Sequence, residues 1–257
     1  MWEFSINMQS NKSELAASIF NILRTELASA KAIVARSDGE EYISIVLAVP
    51  EEHKSEAEIV LMRVVTLAIC QSFKADYLNK HLFLPNQDNL SLTAFKKALI
   101  NFDKETDYFL ISKMLNFNEY LYLESFYKFK LVRLREKWGE LIRLANENRD
   151  YLVSSDAFFD LLKFLIDNLD ISGDEIDVVE DDDGYHICEQ GGKSGALNSS
   201  ALVSSLIDLS PQKINMYYRN ENNATDLLKT IFDRRIILFS SQTQPVKQLD
   251  NLDFLIK

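Results

Sequence analysis

The spacing of apolar residues predicts a strand, a helix and a hairpin at the start of the chain. Residues 2–8 alternate between apolar and polar side chains, which is the period of a half-buried strand. Asn11 and Ser13 offer N-caps for a helix that is expected to run to about Ala30. Two strands follow at 32–36 and 42–49, and the Asp-Gly sequence between them is typical of a tight hairpin.

A second helix, predicted over residues 55–80, is apolar on several sides and is therefore expected to be buried. The order β-α-β-β-α predicts a small two-layer α/β lobe over residues 1–84, which ends at the turn-forming sequence 85–89. Residues 90–170 contain no predicted strand and are interpreted as a central helical layer. Its helices are predicted at 91–101, 105–115, 118–149 and 155–169.

A C-terminal mixed sheet with two helices is predicted over residues 171–257, after a break at Ser172-Gly173-Asp174. A hairpin with strands at 176–179 and 185–188 begins this lobe, and a helix is predicted over 199–209. The strand-helix-strand sequence over 213–239 has short loops, which favours a parallel crossover. The fold class predicted for the whole chain is α+β.

Charge and cysteine content restrict the classes of partner and the compartment. The 257 residues include 28 basic and 39 acidic side chains, a net charge of −11, which disfavours nucleic acid and anionic membrane surfaces. Two cysteines provide no disulfide framework and suit a reducing compartment. No apolar run is long enough to span a bilayer, and the N-terminus has no signal-peptide pattern, so a cytoplasmic protein is expected.

Sequence motifs for phosphate binding and nucleophilic catalysis are incomplete. Gly192-Lys193-Ser194 resembles the end of a P-loop, but the required glycine five residues earlier is Ile187. A flexible connector is the favoured interpretation of residues 190–195. The chain has no G-x-S-x-G nucleophile elbow and no Cys–His signature. No catalytic residue and no cofactor site is therefore predicted.

Metal binding is also disfavoured by the spacing of the candidate ligands. The acidic run 180–184 lacks the ligands of a calcium loop at its first and last positions and is interpreted as a solvated hairpin tip. His186 and Cys188 share one face of a predicted strand, but the chain holds only five His and Cys residues, which are dispersed. No metal site is predicted.

One basic cluster is the main candidate for binding. It comprises Lys128, Lys130, Arg133, Arg135 and Lys137. Lys130, Arg133 and Lys137 would share one face of a helix. Glu124 and Phe126, which lie just before them in an aromatic run, complete the candidate set. Two interpretations stay open: a site for an anion or an acidic partner, and a solvated face balanced by the acidic lobes.

The same region resembles the YtxC-like sporulation proteins of endospore-forming Firmicutes. The resemblance covers about residues 118–240. Its matching segments are 122–131, 158–165 before the hairpin, the acidic hairpin 178–185, the helix-proline-strand 202–214 and the corner 230–235. Membership would imply a cytoplasmic role linked to sporulation, without an established reaction.

Three positions depart from the family pattern. Ser125 stands in place of a glycine and Lys130 in place of an arginine, so bidentate recognition of a carboxylate or phosphate is not expected at residue 130. The sequence Ser240-Ser241-Gln242 stands where the family has a cysteine-rich patch. A metal or redox role tied to those cysteines is therefore not expected.

Two functional hypotheses follow. The first is a non-enzymatic interaction or regulatory protein, with a protein partner or self-association, because catalytic motifs are missing and acidic lobes flank one basic helix. The second is a small-molecule sensor or an enzyme that uses a cleft between the central helices and the C-terminal sheet.

Overall fold

The computed structural model of the protein describes residues 1–84, 87–148, 150, 152, 155–171, 173–189 and 192–240. The chain folds into two compact units, each built from two separate stretches. Unit 1 holds Met1–Leu82 and Asp103–Ala145, and unit 2 holds Phe83–Phe102 and the chain from Asn146 onward. The α+β class is confirmed, because both units combine helices with a β-sheet.

Unit 1 combines four strands with six helices among its described residues. These elements are β1 (Trp2–Gln9), α1 (Ser13–Glu26), β2 (Ile33–Asp38), β3 (Tyr42–Val49), α2 (Lys54–Leu67), α3 (Lys74–His81), α5 (Lys104–Ser112), β4 (Tyr120–Tyr122), α6 (Leu123–Ser125) and α7 (Val132–Glu147). The four strands form one sheet in the order β2-β3-β1-β4. β1 pairs antiparallel with β3 and parallel with β4, and β2 pairs antiparallel with β3.

The core of unit 1 lies on one face of this sheet. The alternating residues Phe4, Ile6 and Met8 of β1 are buried, as the period-two pattern predicts. They pack in one cluster with inward residues of α1 and α2, including Ile19 and Leu61. The helices α1 and α2 therefore do not cover the opposite face of the sheet.

The predicted absence of strands between residues 90 and 170 is wrong. β4 pairs with β1 at Ser5, Ile6 and Asn7, so residues 120–122 belong to the sheet of unit 1. Three residues are too few to produce a strand pattern, and their aromatic side chains also fit an amphipathic helix. The pairing partner on β1 is more than 100 residues away, so local sequence could not reveal it.

Two predicted helices are interrupted by π-helical turns. The helix expected over residues 55–80 is α2 and α3 joined by a π-helical segment, Ala68–Phe73. The helix expected over residues 118–149 is replaced by β4, α6, a π-helical segment Phe126–Lys130 and α7. Leu131, with φ −98° and ψ 38°, separates the second π-helical segment from α7. The wider π turn changes which residues share a face.

Unit 2 combines five strands with four helices among its described residues. These elements are α4 (Asn89–Asn101), α8 (Ser155–Asp167), β5 (Glu175–Glu180), β6 (Tyr185–Glu189), β7 (Gly192–Lys193), α9 (Ser199–Leu209), β8 (Lys213–Tyr218), α10 (Asn223–Phe232) and β9 (Ile236–Ser240). The strands form one mixed sheet in the order β7-β6-β5-β8-β9. β5 and β6 form the predicted hairpin, and β8 is parallel to both β5 and β9, which confirms the parallel crossover.

The predicted central helical layer is divided between the two units. α4 and α8 belong to unit 2, where the rings of Phe95 and Phe158 pack with centroids 5.3 Å apart. α5 and α7 belong to unit 1, where Trp138 is buried. Each helix therefore buries its apolar stripe in the core of one unit. This arrangement differs from the expected division at 1–84, 90–170 and 171–257, because the chain leaves unit 1 and returns to it.

A buried carboxylate, Asp107, connects three parts of unit 1. It accepts hydrogen bonds from Lys74 Nζ at 2.7 Å, Trp138 Nε1 at 3.1 Å and Lys137 Nζ at 3.0 Å. The side chains of Asp107 and Lys74 are 0% and 2% exposed. The ammonium group of Lys74 also lies 5.7 Å from the centre of the Trp138 ring. The charges of Asp107 and Lys74 therefore compensate each other, and directed hydrogen bonds to Asp107 add to this compensation. A pair of charges needs both when it is buried in a medium of low dielectric constant.

We predict that Asp107→Ala lowers the free energy of unfolding by about 3–5 kcal/mol, because it leaves the Lys74 charge buried without its carboxylate. Urea denaturation measures the change. Asp76→Ala is the control: it removes an exposed carboxylate that pairs with Lys12, and it should cost no more than about 1 kcal/mol. Equal losses in the two variants would contradict the assignment.

Candidate functional site

Of the three residues predicted to share a helix face, Lys130 and Arg133 are the two whose side chains are exposed. Neither side chain makes an ion pair with any other described residue. They lie on either side of Leu131, which is buried. Phe129 and Val132 beside them are 66% and 41% exposed. We call residues 128–133 the basic–aromatic segment.

The first three residues of this segment lie in the π-helical turn Phe126–Lys130. Lys128, Phe129 and Lys130 are three consecutive exposed residues in this turn. Lys128 lies over the Phe129 ring, with its Nζ 5.4 Å from the ring centre. The segment therefore combines cations with apolar surface.

Lys137 belongs to the core network of unit 1 and is not part of this exposed group. Its Nζ lies 2.5 Å from Asp103 Oδ2 and 3.0 Å from Asp107 Oδ1. Partial burial would lower the pKa of Lys137, but the hydrogen bonds from the ammonium group to these two carboxylates outweigh it and raise the pKa. The predicted single face of Lys130, Arg133 and Lys137 is therefore not observed. Leu131 interrupts the helix between Lys130 and the other two residues.

Glu124 and Phe126, which complete the candidate set, have structural partners. Phe126 is buried in the core of unit 1. Glu124 Oε1 accepts a hydrogen bond from the backbone N–H of Gln9 at 3.0 Å, at the end of β1. The sequence offered no signal for either contact, because Gln9 and the core residues are distant along the chain.

The acidic hairpin of unit 2 forms a second polar cluster, centred on Asp181. Its Oδ2 lies 2.8 Å from His186 Nε2 and 2.9 Å from Lys193 Nζ, and its Oδ1 accepts a hydrogen bond from the Asp183 N–H. The hydrogen bond from Lys193 is the main reason that the pKa of Asp181 is held well below its ordinary value. The contact with His186 is an ion-pair distance rather than an aligned hydrogen bond.

This cluster shows the structural roles of two sequence motifs, the P-loop-like sequence at 192–194 and the acidic run 180–184. Lys193 is paired with Asp181 and lies on β7, so residues 192–193 are a short strand rather than the predicted flexible connector. Gln190 and Gly191 lie outside the described residues. Gly184, at the hairpin turn, has φ 138°, and a Cβ there would lie 2.7 Å from the Leu197 carbonyl oxygen, so a glycine is required.

His186 and Cys188, the two candidate metal ligands, have different surroundings. His186 Nδ1 lies 3.0 Å from the Ser194 carbonyl oxygen, while burial raises the pKa of the Cys188 thiol. Among the described residues, no group of three or more His, Cys, Asp or Glu side chains has a geometry that could hold a metal ion.

Unit 2 also contains a polar cavity of about 860 Å³, at which the first turns of α4, α9 and α10 meet. The N-cap residues of these helices are Asp88, Asn198 and Asn222, and each side chain accepts hydrogen bonds from its own helix. Ser199 and Ser200 contribute hydroxyl groups to the lining. Asp and Asn are typical N-cap residues, but local sequence does not record that the three caps converge on one cavity.

Comparison with known protein families, with curated proteins and with solved structures gives no match for this chain. Within the parts of the chain described above, no helix is both long enough and apolar enough to cross a membrane.

We predict that Lys137→Glu destabilises the protein by about 2 kcal/mol or more, since it places a third carboxylate beside Asp103 and Asp107. Lys130→Glu and Arg133→Glu should each change the free energy of unfolding by no more than about 0.5 kcal/mol, because both side chains are exposed and form no ion pair with a described residue. Chemical denaturation of the three single variants measures these changes. Similar losses for all three would contradict the placement of Lys137 in the core network.

Proposed function

We propose that this chain is a non-enzymatic interaction or regulatory protein of the cytoplasm, and that it binds an acidic protein partner through the basic–aromatic segment. The observation that carries the proposal is the exposure of Lys130 and Arg133, without carboxylate partners among the described residues, in a chain with a net charge of −11. Other exposed lysines of the described chain, such as Lys80 and Lys229, also lack ion pairs. Lys130 and Arg133 differ from them because the exposed apolar side chains of Phe129 and Val132 lie beside them.

The chemistry of the segment defines the kind of partner. The cations provide electrostatic attraction and orientation, which act mainly on the association rate and on specificity. Phe129 and Val132 provide apolar surface that a partner can bury, and aromatic and Arg side chains are enriched at interface cores. An amphipathic segment with carboxylates beside apolar side chains meets both requirements.

The biological context proposed for this activity is sporulation. It rests on the resemblance of about residues 118–240 to the YtxC-like family. The basic–aromatic segment lies within that stretch, and Lys130 occupies a position where the family has a basic residue.

The test uses a fluorescent synthetic helix-forming peptide with Glu on one face and Leu on the other, and a second peptide with Lys in place of Glu. We predict that the full chain binds the acidic peptide in a salt-dependent manner. Lys130→Glu/Arg133→Glu should weaken this binding at least tenfold, measured by fluorescence anisotropy.

The matched control is Lys80→Glu/Lys229→Glu, which changes the net charge equally at two other exposed lysines and should bind as the unmodified chain does. Equal binding of the two peptides, or undiminished binding by the Lys130/Arg133 variant, would overturn the proposal. Binding of single-stranded DNA that the same variant abolishes, with no binding of the acidic peptide, would assign the segment to nucleic acid.

A second candidate function is a small-molecule sensor or an enzyme, and the polar cavity of unit 2 favours it. This cavity lies between α4, one of the predicted central helices, and the first turns of α9 and α10 beside the C-terminal sheet. Its amide and hydroxyl side chains suit a small polar molecule.

We predict that, if this second function holds, at least one compound in a broad screen of polar metabolites raises the melting temperature, since a ligand that binds only the folded state stabilises it by mass action. Ser200→Phe, which places a ring at the lining of the cavity, should abolish the shift. A screen without any shift, or a shift that persists in this variant, counts against a sensor that uses this cavity.

A further inference from the structure

The sheet of unit 1 has one open face whose composition is unusual for this acidic chain. Successive side chains of a strand point to opposite faces of the sheet, so the open face holds the residues that alternate with the buried core residues. They are Glu3, Ser5, Asn7 and Gln9 on β1; Ile33, Ala35 and Ser37 on β2; Tyr42, Ser44, Val46 and Ala48 on β3; and Tyr120 and Tyr122 on β4. Glu3 is the single charged residue among these thirteen described positions. We call this set the open face.

Aromatic and apolar side chains of the open face are strongly exposed. Tyr42, Tyr120 and Tyr122 are 47%, 60% and 43% exposed, and Ile33 and Val46 are 62% and 40% exposed. The Tyr122 ring packs edge-on against both other tyrosine rings, with centroids 6.0 Å from Tyr42 and 5.6 Å from Tyr120. Tyrosine enrichment and charge depletion distinguish the cores of protein interfaces from other surfaces.

The polar groups at the centre of the open face already satisfy one another. Ser44 Oγ donates to Asn7 Oδ1 at 2.6 Å, and Asn7 Nδ2 donates to Ser5 Oγ at 3.3 Å. A buried polar group is costly mainly when its hydrogen bonds are unmade. Covering this part of the sheet therefore carries a small desolvation penalty.

We propose that the open face is a self-association surface, covered by the same face of a second copy of this chain around a twofold axis. The overall charge favours this location, because two chains of net charge −11 repel one another wherever carboxylates meet. Hydroxyl and amide groups both donate and accept hydrogen bonds, so a face of Ser, Asn and Tyr side chains can pair with its own copy.

The area indicates a weak and reversible dimer. The 25 residues of the four strands cover a projected area of about 400 Å² per copy, at about 3.3 Å per residue and 4.8 Å between strands. A standard interface contributes about 800 Å² per partner, so the contact lies at the small end of specific interfaces even with protruding tyrosine rings. We expect a dissociation constant between about 10 μM and 1 mM. This proposal does not rest on the basic–aromatic segment.

Analytical ultracentrifugation of the full chain from about 1 μM to 1 mM tests the proposal. The unmodified chain should shift from monomer to dimer over this range. Val46→Lys should be at least tenfold weaker, because Val46 lies on a central strand and a twofold contact would bring two lysines together. Lysine is chosen because it lowers the net negative charge, so a loss of dimer cannot come from increased overall repulsion.

Ile59→Lys is the matched control, because Ile59 is an apolar residue on α2 that is 71% exposed and lies away from the sheet. It should dimerise as the unmodified chain does. Tyr120→Ser, at the edge strand, is a second variant that should also weaken the dimer, and circular dichroism verifies the fold of each variant. A chain that stays monomeric at 1 mM, a Val46→Lys dimer of unchanged affinity, or equal losses in Val46→Lys and Ile59→Lys would overturn the proposal.

Discussion

The buried carboxylate of Asp107 is the interaction on which the arrangement of unit 1 most depends. It holds the ammonium group of Lys74 at the end of the π-helical segment, the indole N–H of Trp138 and the ammonium group of Lys137. Three stretches of chain are thereby fixed around one charge. The same contact pairs Lys137, whose side chain stays 24% exposed, with a buried carboxylate, so the structural requirement of the core decides which cations are available for binding.

Charge balance explains why the two proposed surfaces of unit 1 differ. The basic–aromatic segment presents Lys130 and Arg133 without nearby carboxylate partners in the described structure, and it suits a partner of opposite charge. The open face carries one charged residue, Glu3, and suits a surface that is neither acidic nor basic, which a second copy provides. Local charge, rather than the net charge of the chain, therefore determines what each surface can bind.

Unit 2 uses its charged residues mainly to hold its own hairpin. Asp181 joins the turn of the hairpin to His186 and to Lys193 on β7, so the acidic run and the lysine that resembles a P-loop residue are parts of one structural cluster. The polar cavity lies at the capped ends of three helices, and its lining residue Asn222 donates a hydrogen bond to the Tyr185 hydroxyl on β6 at 2.7 Å. The cavity and the hairpin are therefore linked through the side chain of Asn222.

The sequence by itself determined the α+β class and most elements of unit 2, because hydrophobic period, capping residues and turn residues are local signals. The strands around the Asp-Gly hairpin of unit 1 and the helix at Ser199–Leu209 are examples. Only the tertiary structure decided that Tyr120–Tyr122 joins the sheet, that Lys137 meets Asp103 and Asp107, and that the central helices are divided between two units. Each of these depends on pairing between residues about 30 or more positions apart, and neither periodicity nor composition records such contacts.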